Sequence, residues 1–331
     1  MVTIKDIAKT TGFSVATVSR ALNDSALISL ETRQKIKRVA ESLHYHKNRI
    51  AQGLNKGNLS VIGLLISDIT NPFNAEAVRG VEDAAQKHGY GVILCNTDEI
   101  YEKEAFYAEF LSTHRVAGAI VTSAMLQDPI IARLHQKLPM LLLSRIMNEI
   151  DINYVACDDF EGGKIAVEHL IDLGHKRIGF IGGPRDTAPC SSRFLGYRQA
   201  LKDHKLSYRK AWVDFGRFDH KSGYQLGCEL LRKKNRPSAI FAASDFIAIG
   251  VMEAAAEAGL AIPEDLAIVG YDNVFIGALS QIQLTTVSQS IRKMGNLAAE
   301  SLFKIIDNPG LPPVQITIPS QLVIRGSCGS T

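Results

Sequence analysis

The chain has 331 residues, of which 46% are apolar and 21% charged, with a formal net charge of +3. This composition is that of a globular protein and excludes disordered and fibrous classes. The apolar runs are far shorter than the roughly 18 residues of a membrane span. Lys5, Asp6 and Lys9 interrupt the N-terminus where a signal peptide needs an apolar core. We therefore expect a cytoplasmic protein with no membrane contact.

The charge is distributed unevenly along the chain. Residues 1–60 hold ten Lys/Arg and four Asp/Glu, a net +6, whereas the remaining 271 hold 27 and 30, a net −3. A basic N-terminal part indicates binding to a polyanion. The five cysteines are odd in number, widely spaced and without a C-x-x-C motif. They predict reduced thiols, with neither a disulfide scaffold nor a metal site, and we expect no cofactor.

Residues 3–45 predict three short helices. Thr3 and Asp6 have the spacing of a capping box, and Gly12 can end the first helix. The second helix is predicted to start at Ser14, with Val15, Val18, Ala21 and Leu22 at helical spacing, and the third to follow Ser29. Two helices joined by a short glycine-containing turn have the dimensions of a helix-turn-helix, whose second helix enters the major groove.

The start of the second helix would then read base edges. Val15 and Ala16 suit thymine methyl groups, whereas Arg20 can bond a guanine edge with two hydrogen bonds. A three-helix bundle with a merely solvated charged face is the alternative. The candidate DNA contacts in this region are Thr3, Ser14, Val15, Ala16, Thr17, Ser19, Arg20 and Asn23.

Two stretches in this region, IKDIA at residues 4–8 and VATVSRALN at residues 15–23, resemble the N-terminal signature of the LacI/GalR family of bacterial transcription regulators. The following residues, 43–54, are similar to that family's hinge. The resemblance implies a short helix that forms on operator DNA and inserts Leu54 into the minor groove. Such an apolar wedge unstacks a base step at a cost of a few kcal/mol, offset by the contacts that the bend permits.

The hinge departs from the family pattern in two places. Lys47 replaces the proline that commonly precedes Asn48, and Gly53 costs about 1 kcal/mol relative to alanine inside a helix. Both changes make hinge folding depend more on DNA and on the second subunit. Interdomain packing is the other interpretation of Leu54. The candidate DNA contacts of the hinge are Asn48, Ala51 and Leu54.

From residue 59 onward, short apolar runs alternate with amphipathic stretches such as 74–87 and 101–114. This alternation predicts βαβ units and helix-covered parallel sheets. The strands fall into two successive sets, which predicts two doubly wound parallel-sheet lobes with a ligand in the cleft between them. The predicted strands are Val61–Ile66, Gly91–Asn96, Gly118–Thr122, Met140–Leu143, Arg177–Ile181, Ala239–Ala243 and Leu266–Gly270.

The family resemblance covers nearly the whole chain and implies a periplasmic-binding-protein-like body. It implies a helix-turn-helix domain at 1–45, a hinge at 46–58 and a two-lobed effector-binding and dimerisation domain at 59–331. The chain would cross between lobes near residues 157, 288 and 318. The N-lobe would then comprise about 59–157 and 289–318, and the C-lobe about 158–288 and 319–331. Because the chain stops soon after Arg325, we expect a homodimer without a tetramerising tail.

Candidate effector residues follow from strand ends and from the family's motif positions. Phe73 and Phe218 could sandwich a ring, Arg193 would donate to the ligand, and Asp272 would accept from its hydroxyls. Asp245 is a second acidic candidate, and its other interpretation is a helix cap. Each Phe could belong to the core. A salt bridge between Arg193 and Asp272 that joins the lobes is a further alternative. Asn74, Ser144 and Asp159 depart from the family pattern beside the expected site. The candidate set is Asn71, Phe73, Arg145, Arg193, Phe218, Asp245 and Asp272.

Known catalytic signatures are missing from the sequence. It contains no Walker A motif, no G-x-G-x-x-G, no G-x-S-x-G and no H-E-x-x-H. We therefore expect that the protein is not an enzyme. The family resemblance implies a ligand-controlled repressor of carbohydrate-utilisation genes that binds a pseudo-palindromic operator. A purine- or nucleoside-responsive co-repressor-type regulator is the first alternative. A solute-binding receptor and, more distantly, a sugar-modifying enzyme are the others.

Overall fold

The computed structural model describes residues 2–22, 25, 27–43, 45, 59–148 and 150–329, with the backbone alone for Leu59. The chain separates into two compact units, Met1–Leu59 and Ser60–Thr331. We call the first unit the head and the second unit the body, and each is described by itself.

The head contains three helices, α1 (Ile4–Thr11), α2 (Val15–Leu22) and α3 (Leu30–Ser42). Local hydrogen bonds set their ends. The Asp6 carboxylate accepts the Thr3 amide at 2.8 Å, and Gly12 ends α1 with φ of 76°, a value that glycine adopts without strain. The Ser14 hydroxyl accepts the Thr17 amide at 3.1 Å. The predicted helix-turn-helix fold of the head is confirmed.

A small apolar core joins the three helices of the head. It is formed by Ile7, Ala8, Val18, Ala21, Leu22, Ile36 and Ala40. The sequence pattern groups Val15 with the inward side of α2, but Val15 is 43% exposed. The core lies under Val18 and the residues after it, so the first turn of α2 is left on the surface.

The body contains two six-stranded sheets. The first sheet consists of β1 (Leu59–Ile66), β2 (Gly91–Asn96), β3 (Val116–Val121), β4 (Met140–Leu143), β5 (Asn153–Cys157) and β11 (Gln315–Ile318). The second consists of β6 (Ile178–Gly182), β7 (Val213–Phe215), β8 (Ala239–Ala242), β9 (Ala267–Asp272), β10 (Thr285–Ser288) and β12 (Gln321–Val323). The strand order is β11-β5-β4-β3-β1-β2 in the first sheet and β12-β10-β9-β8-β6-β7 in the second.

The central strands of both sheets are fully buried, because helices cover both faces of each sheet. The helices are α4 (Pro72–Lys87), α5 (Tyr101–Thr113), α6 (Pro129–His135), α7 (Asp159–Asp172), α8 (Ala188–Asp203), α9 (His220–Leu231), α10 (Asp245–Glu257) and α11 (Ile291–Asp307). Strand β12 pairs antiparallel with β10, whereas pairs such as β3–β4 and β8–β9 are parallel. The predicted fold class of two parallel-sheet lobes is confirmed.

The chain passes between the sheets three times. It leaves the first sheet after Cys157, returns after Ser288 through α11, and crosses again between β11 and β12. Helix α11 belongs with the first sheet because Met294 and Leu302 share a core with Val81 of α4. We call residues 60–157 and 291–318 the first lobe, and residues 158–288 and 321–329 the second lobe.

The sequence pattern missed five strands, β5, β7, β10, β11 and β12. Each is only three to five residues long and several lie at sheet edges, with half-exposed residues and no continuous apolar run. In the described part of the chain, no helix is both long enough and apolar enough to cross a membrane.

Candidate functional site

The first turn of α2 presents most of its side chains to solvent. Ser14, Val15, Ala16 and Arg20 are exposed, and Thr17 and Ser19 are half-buried. The Ser14 and Thr17 hydroxyls lie 2.9 Å apart and share a hydrogen bond, so the cap of α2 holds both side chains in place. Thr3 is exposed at the start of α1. The other predicted contacts, Asn23, Asn48, Ala51 and Leu54, lie outside the described residues.

The body holds a cavity of about 30 Å³ between its two lobes. Its lining comes from both sheets at the carboxyl ends of the strands, where open α/β sheets bind ligands. Six of the seven predicted effector residues line it: Asn71, Phe73 and Arg145 from the first lobe, and Arg193, Phe218 and Asp272 from the second. Ser67, Asn74, Ser144 and Pro189 complete the lining.

Arg193 of α8 is the centre of a buried charge cluster. Its Nε donates to Oδ1 of Asp159 at 2.8 Å, and its Nη1 donates to the Ala243 carbonyl at 2.6 Å. Nη1 also lies 3.7 Å from Oδ1 of Asp272, and the guanidinium carbon lies 3.7 Å from the centroid of the Tyr271 ring. Burial lowers the pKa of Arg193, but the neighbouring carboxylates outweigh it and leave the pKa raised.

These contacts correct one interpretation of Arg193 and Asp272. The salt bridge does not join the lobes, because α8 and β9 both belong to the second lobe. Burial raises the pKa of Asp272 well above its ordinary value. The Nε2 atom of Gln289 donates to Oδ1 of Asp272 at 2.5 Å. The cluster is therefore a preformed feature of one lobe that faces the other.

Asp245 is the predicted effector residue that the cavity lining does not include. Its side chain is fully buried at the start of α10, where it accepts the Thr286 hydroxyl at 2.5 Å and the Val274 amide at 2.8 Å. Burial raises the pKa of Asp245 to about 7. The cap of α10 is Ser244, whose hydroxyl accepts the Ile247 amide. Asp245 thus ties β10 and the loop after β9 together and does not face the cleft.

Asn71 and the two phenylalanines connect the lobes across the cavity. The Asn71 Oδ1 caps α4 by accepting the Phe73 amide at 3.0 Å, and its Nδ2 donates to the Phe218 carbonyl of the second lobe at 3.0 Å. Phe73 is buried against the core of the first lobe, whereas Phe218 is half-buried. Both rings line the cavity from opposite lobes, so each Phe is partly core and partly cavity wall.

Arg145 differs from Arg193 in its surroundings. Ser144, which precedes it at the end of β4, has φ of 54°. The Arg145 side chain is only 6% exposed. Its Nη1 donates to the Ser144 carbonyl at 3.0 Å, and its buried Nε has no hydrogen-bond partner. Burial lowers the pKa of Arg145.

Two lining residues, Ser67 and Pro189, were missed by the sequence interpretation. Ser67 directly follows β1, so its place at a strand end was a usable signal. Pro189 lies in the first turn of α8 and carries no chemistry that would single it out. In the ranges that the structure describes, no group of three or more His, Cys, Asp or Glu side chains is arranged to hold a metal ion.

Comparisons with known proteins agree with this division into head and body. Residues 3–48 match the family described as bacterial regulatory proteins, lacI family, and residues 167–328 match the periplasmic binding protein-like domain. A ribose operon repressor from Halalkalibacterium halodurans is 37% identical over 325 residues, which cover 98% of this chain and 96% of that protein. The transcriptional repressor PurR from Pectobacterium carotovorum is 34% identical and covers 99% and 97%.

Solved structures are similar over the same extent. The lac repressor dimer bound to operator and the anti-inducer ONPF superposes with a TM-score of 0.88 at 27% identity, over 99% of each chain. A complex of the transcriptional regulator CelR with cellobiose has a TM-score of 0.76 at 29% identity, over 99% of this chain and 100% of that one. With relatives above 30% identity over almost its full length, the chain belongs to the LacI family of bacterial DNA-binding transcriptional regulators.

Proposed function

We propose that this protein is a homodimeric repressor of carbohydrate-utilisation genes whose operator affinity is set by a sugar or sugar derivative bound between the lobes. The observation that carries the proposal is the charge cluster of Arg193, Asp159 and Asp272, which faces two aromatic rings in the interlobe cavity. Carboxylates and guanidinium groups make charge-assisted hydrogen bonds to hydroxyls, and aromatic rings pack against the apolar faces of a sugar.

The cavity volume of about 30 Å³ is far below the roughly 300–1,000 Å³ of ordinary ligand sites. A sugar therefore enters only if the lobes or their side chains move apart. Such a movement gives the ligand different contacts in the two lobe arrangements, and this difference in binding free energy is what allows a ligand to shift an equilibrium. The lobe arrangement would then control the spacing of the two heads on the operator half-sites.

The names of the relatives support a sugar and name the main competitor. One relative is called a ribose operon repressor, and a similar structure contains cellobiose. Several relatives are PurR repressors, so purines and nucleosides belong in the test. The domain limits proposed from the sequence, 1–45, 46–58 and 59–331, assign operator binding, hinge and effector response to separate segments.

The test is an operator titration with the full chain. An operator is first obtained by selection from random duplex DNA, and its affinity is then measured by gel shift with neutral sugars, sugar derivatives, purines and nucleosides. We expect a two-fold symmetric operator bound by a dimer and at least a tenfold change in affinity with one sugar class. Operator affinity unchanged by every compound that binds the body would contradict the proposal, and a response to purines alone would replace the sugar.

A further inference from the structure

The two arginines of the cleft are not equally neutralised. Arg193 has an ion pair with Asp159 at 2.8 Å and a second contact with Asp272 at 3.7 Å. Arg145 takes part in none of the ion pairs of the described residues, so no carboxylate oxygen there comes within 4.0 Å of its guanidinium nitrogens. Glu99, which acts on Arg145 through its charge, is paired with Arg217 at 3.2 Å. The positive charge of Arg145 is thus the one left without a direct counter-ion.

The hydrogen bonding of Arg145 is incomplete in the same way. A guanidinium has five N–H donors, and the structure gives Arg145 a single acceptor, the Ser144 carbonyl at 3.0 Å. Its Nε has no hydrogen-bond partner, and because the residue is only 6% exposed, bulk water does not supply one. A buried charge without a partner destabilises a fold. The position is therefore explained by a group that supplies both the acceptors and the negative charge when it binds.

A second cavity, of about 220 Å³, adjoins the first and shares Ser144, Arg145 and Pro189 with it. Ala188 and Ser192, from the beginning of α8, also line it. Helix α8 has 16 residues, and the side chain of its N-cap residue Thr187 does not cap it. That hydroxyl donates to the Pro184 carbonyl at 2.7 Å. Pro189 has no N–H, so among the first three residues of α8 only the amides of Ala188 and Cys190 can donate. Such first-turn amides have no acceptor within their own helix, and the helix dipole there favours an anion.

The two acidic residues that line this second cavity are already engaged. Oδ1 of Asp158 accepts the Glu161 amide at 3.0 Å, and Oδ1 of Asp159 accepts Nε of Arg193 at 2.8 Å. Neither carboxylate reaches Arg145 as an ion-pair partner. Arg145, with its unmatched donors, and Ala188, the first residue of α8, therefore line one space of about 220 Å³, which has room for a phosphate or a carboxylate.

We propose that the effector carries an anionic group, a phosphate or a carboxylate, which binds between Arg145 and the first turn of α8. This proposal rests on the proposed function, because it concerns the effector of the same cleft. The polyhydroxylated part of the effector then contacts the Arg193–Asp272 cluster and the rings of Phe73 and Phe218. Arg145 then distinguishes a sugar phosphate or a sugar acid from the neutral sugar.

The test uses matched sets of compounds with the full chain. The sets are ribose, ribose 5-phosphate and ribonate, then glucose, glucose 6-phosphate and gluconate, with inorganic phosphate alone as a further probe. Binding is measured by titration calorimetry and operator response by gel shift. Because hydrogen bonds to charged groups are worth more than neutral ones, we expect one anionic compound to bind at least tenfold more tightly than its neutral counterpart. The phosphate and carboxylate arms distinguish the two sources of the anion.

Arg145→Gln removes the charge and retains a side chain of similar shape, Arg145→Lys retains the charge, and Arg198→Gln removes an exposed charge from the same helix α8 as a control. We expect Arg145→Gln to weaken binding of the anionic compound at least tenfold, while the affinity for the neutral sugar changes less than threefold. Arg145→Lys should recover part of the loss, and Arg198→Gln should have no effect. The melting temperature of ligand-free Arg145→Gln should equal or exceed that of the wild type, because an unpaired buried charge is removed.

Three outcomes would overturn the anionic effector. In the first, a neutral compound changes operator affinity and its anionic counterparts bind more weakly, which leaves the proposed function intact. In the second, Arg145→Gln weakens neutral and anionic compounds equally, which makes Arg145 a donor to hydroxyls. In the third, Arg145→Gln lowers the melting temperature by several degrees without ligand, which makes Arg145 a structural residue. By contrast, failure of the full chain to select a DNA sequence would overturn the proposed function itself.

Discussion

Arg217 of the second lobe places its Nε 3.2 Å from Oε2 of Glu99 in the first lobe. Its Nη2 also donates to the Asp98 carbonyl at 2.9 Å. Two further bonds join the same lobes, from Asn71 Nδ2 to the Phe218 carbonyl at 3.0 Å and from the Leu126 amide to the Asp186 carbonyl at 2.8 Å. The lobes are thus held together at several points around the small cavity.

This contact predicts that Arg217→Gln favours separation of the lobes. The Arg217 side chain is exposed and Glu99 is half-buried, and exposed ion pairs contribute only about 0.2–1 kcal/mol. We therefore expect the bound effector to dissociate about two- to fivefold faster, measured by stopped-flow displacement. The matched control is Lys137→Gln, which removes an ion pair to Glu109 of the same 3.2 Å length within the first lobe. Equal dissociation rates for Arg217→Gln and wild type would show that this pair does not hold the lobes.

Arg193→Ala should strongly destabilise the body. The side chain is 3% exposed, and its removal leaves the Asp159 carboxylate buried without its cation. Breaking a buried ion pair in this way costs about 3–5 kcal/mol, so the urea midpoint of the body should fall markedly. The double variant Arg193→Met with Asp159→Asn should recover part of the loss. A loss no larger than that of the exposed Arg198→Ala would contradict the cluster's structural role.

The free energy of unfolding should fall as the pH rises, because of the buried carboxyl of Glu104 in α5. Burial, with the charge of Asp128 nearby, raises the pKa of the Glu104 carboxyl to about 7 from the ordinary 4.5. The Ser123 hydroxyl donates to its Oε1 at 2.6 Å. Because the folded state holds the proton more tightly, this stability is fully present below pH 4.5 and is lost as pH rises through 7.

The measurement is the free energy of unfolding between pH 4.5 and 8. The wild type should lose up to about 3 kcal/mol more than Glu104→Gln over this range, because the amide cannot ionise. The control, Glu102→Gln, removes an exposed carboxyl from the same helix and should keep the wild-type slope. Parallel pH profiles for the wild type and Glu104→Gln would show that Glu104 ionises normally.

Arg20→Ala should reduce sequence discrimination by the head. Arg20 is exposed in the last turn of α2, and a two-point contact to a guanine edge is worth about 1–3 kcal/mol. We expect affinity for the selected operator to fall about 10- to 100-fold while affinity for random duplex DNA falls far less. Arg38→Ala, which removes an exposed side chain of α3, should weaken binding to both kinds of DNA to a similar degree. A uniform loss with Arg20→Ala would assign Arg20 to the phosphate backbone.

Leu54→Ala tests the wedge that the family resemblance implies, for a residue outside the described part of the chain. We expect specific operator binding to weaken far more than non-specific binding, because only the operator complex includes the bent base step. DNA bending, measured by circular permutation of the operator within a fragment, should decrease in parallel. Equal losses on operator and random DNA would contradict the wedge.

The sequence by itself determined what depends on neighbours in the chain. The caps of α1 and α2 follow from Thr3, Asp6, Gly12 and Ser14, because their hydrogen bonds span only three or four residues. The predicted bounds of β2 and β4 are the same as those in the structure. For β4 the reason is its uninterrupted apolar run, which a strand buried on both faces needs, whereas β2 is a partly exposed strand at the edge of its sheet. The basic head and the two sets of strands were readable for the same reason.

Tertiary structure decided which charges are matched. Asp245 and Asp272 both lie at strand ends, yet only Asp272 faces the cleft, because Thr286 and Val274 occupy the Asp245 carboxylate. Arg145 and Arg193 are alike in the sequence, but only Arg193 forms an ion pair with Asp159, which is 34 residues away along the chain. Ion pairing depends on distance in space, which no local pattern encodes. The net charge of +3 therefore conceals a basic head, a neutralised Arg193 and an unmatched Arg145.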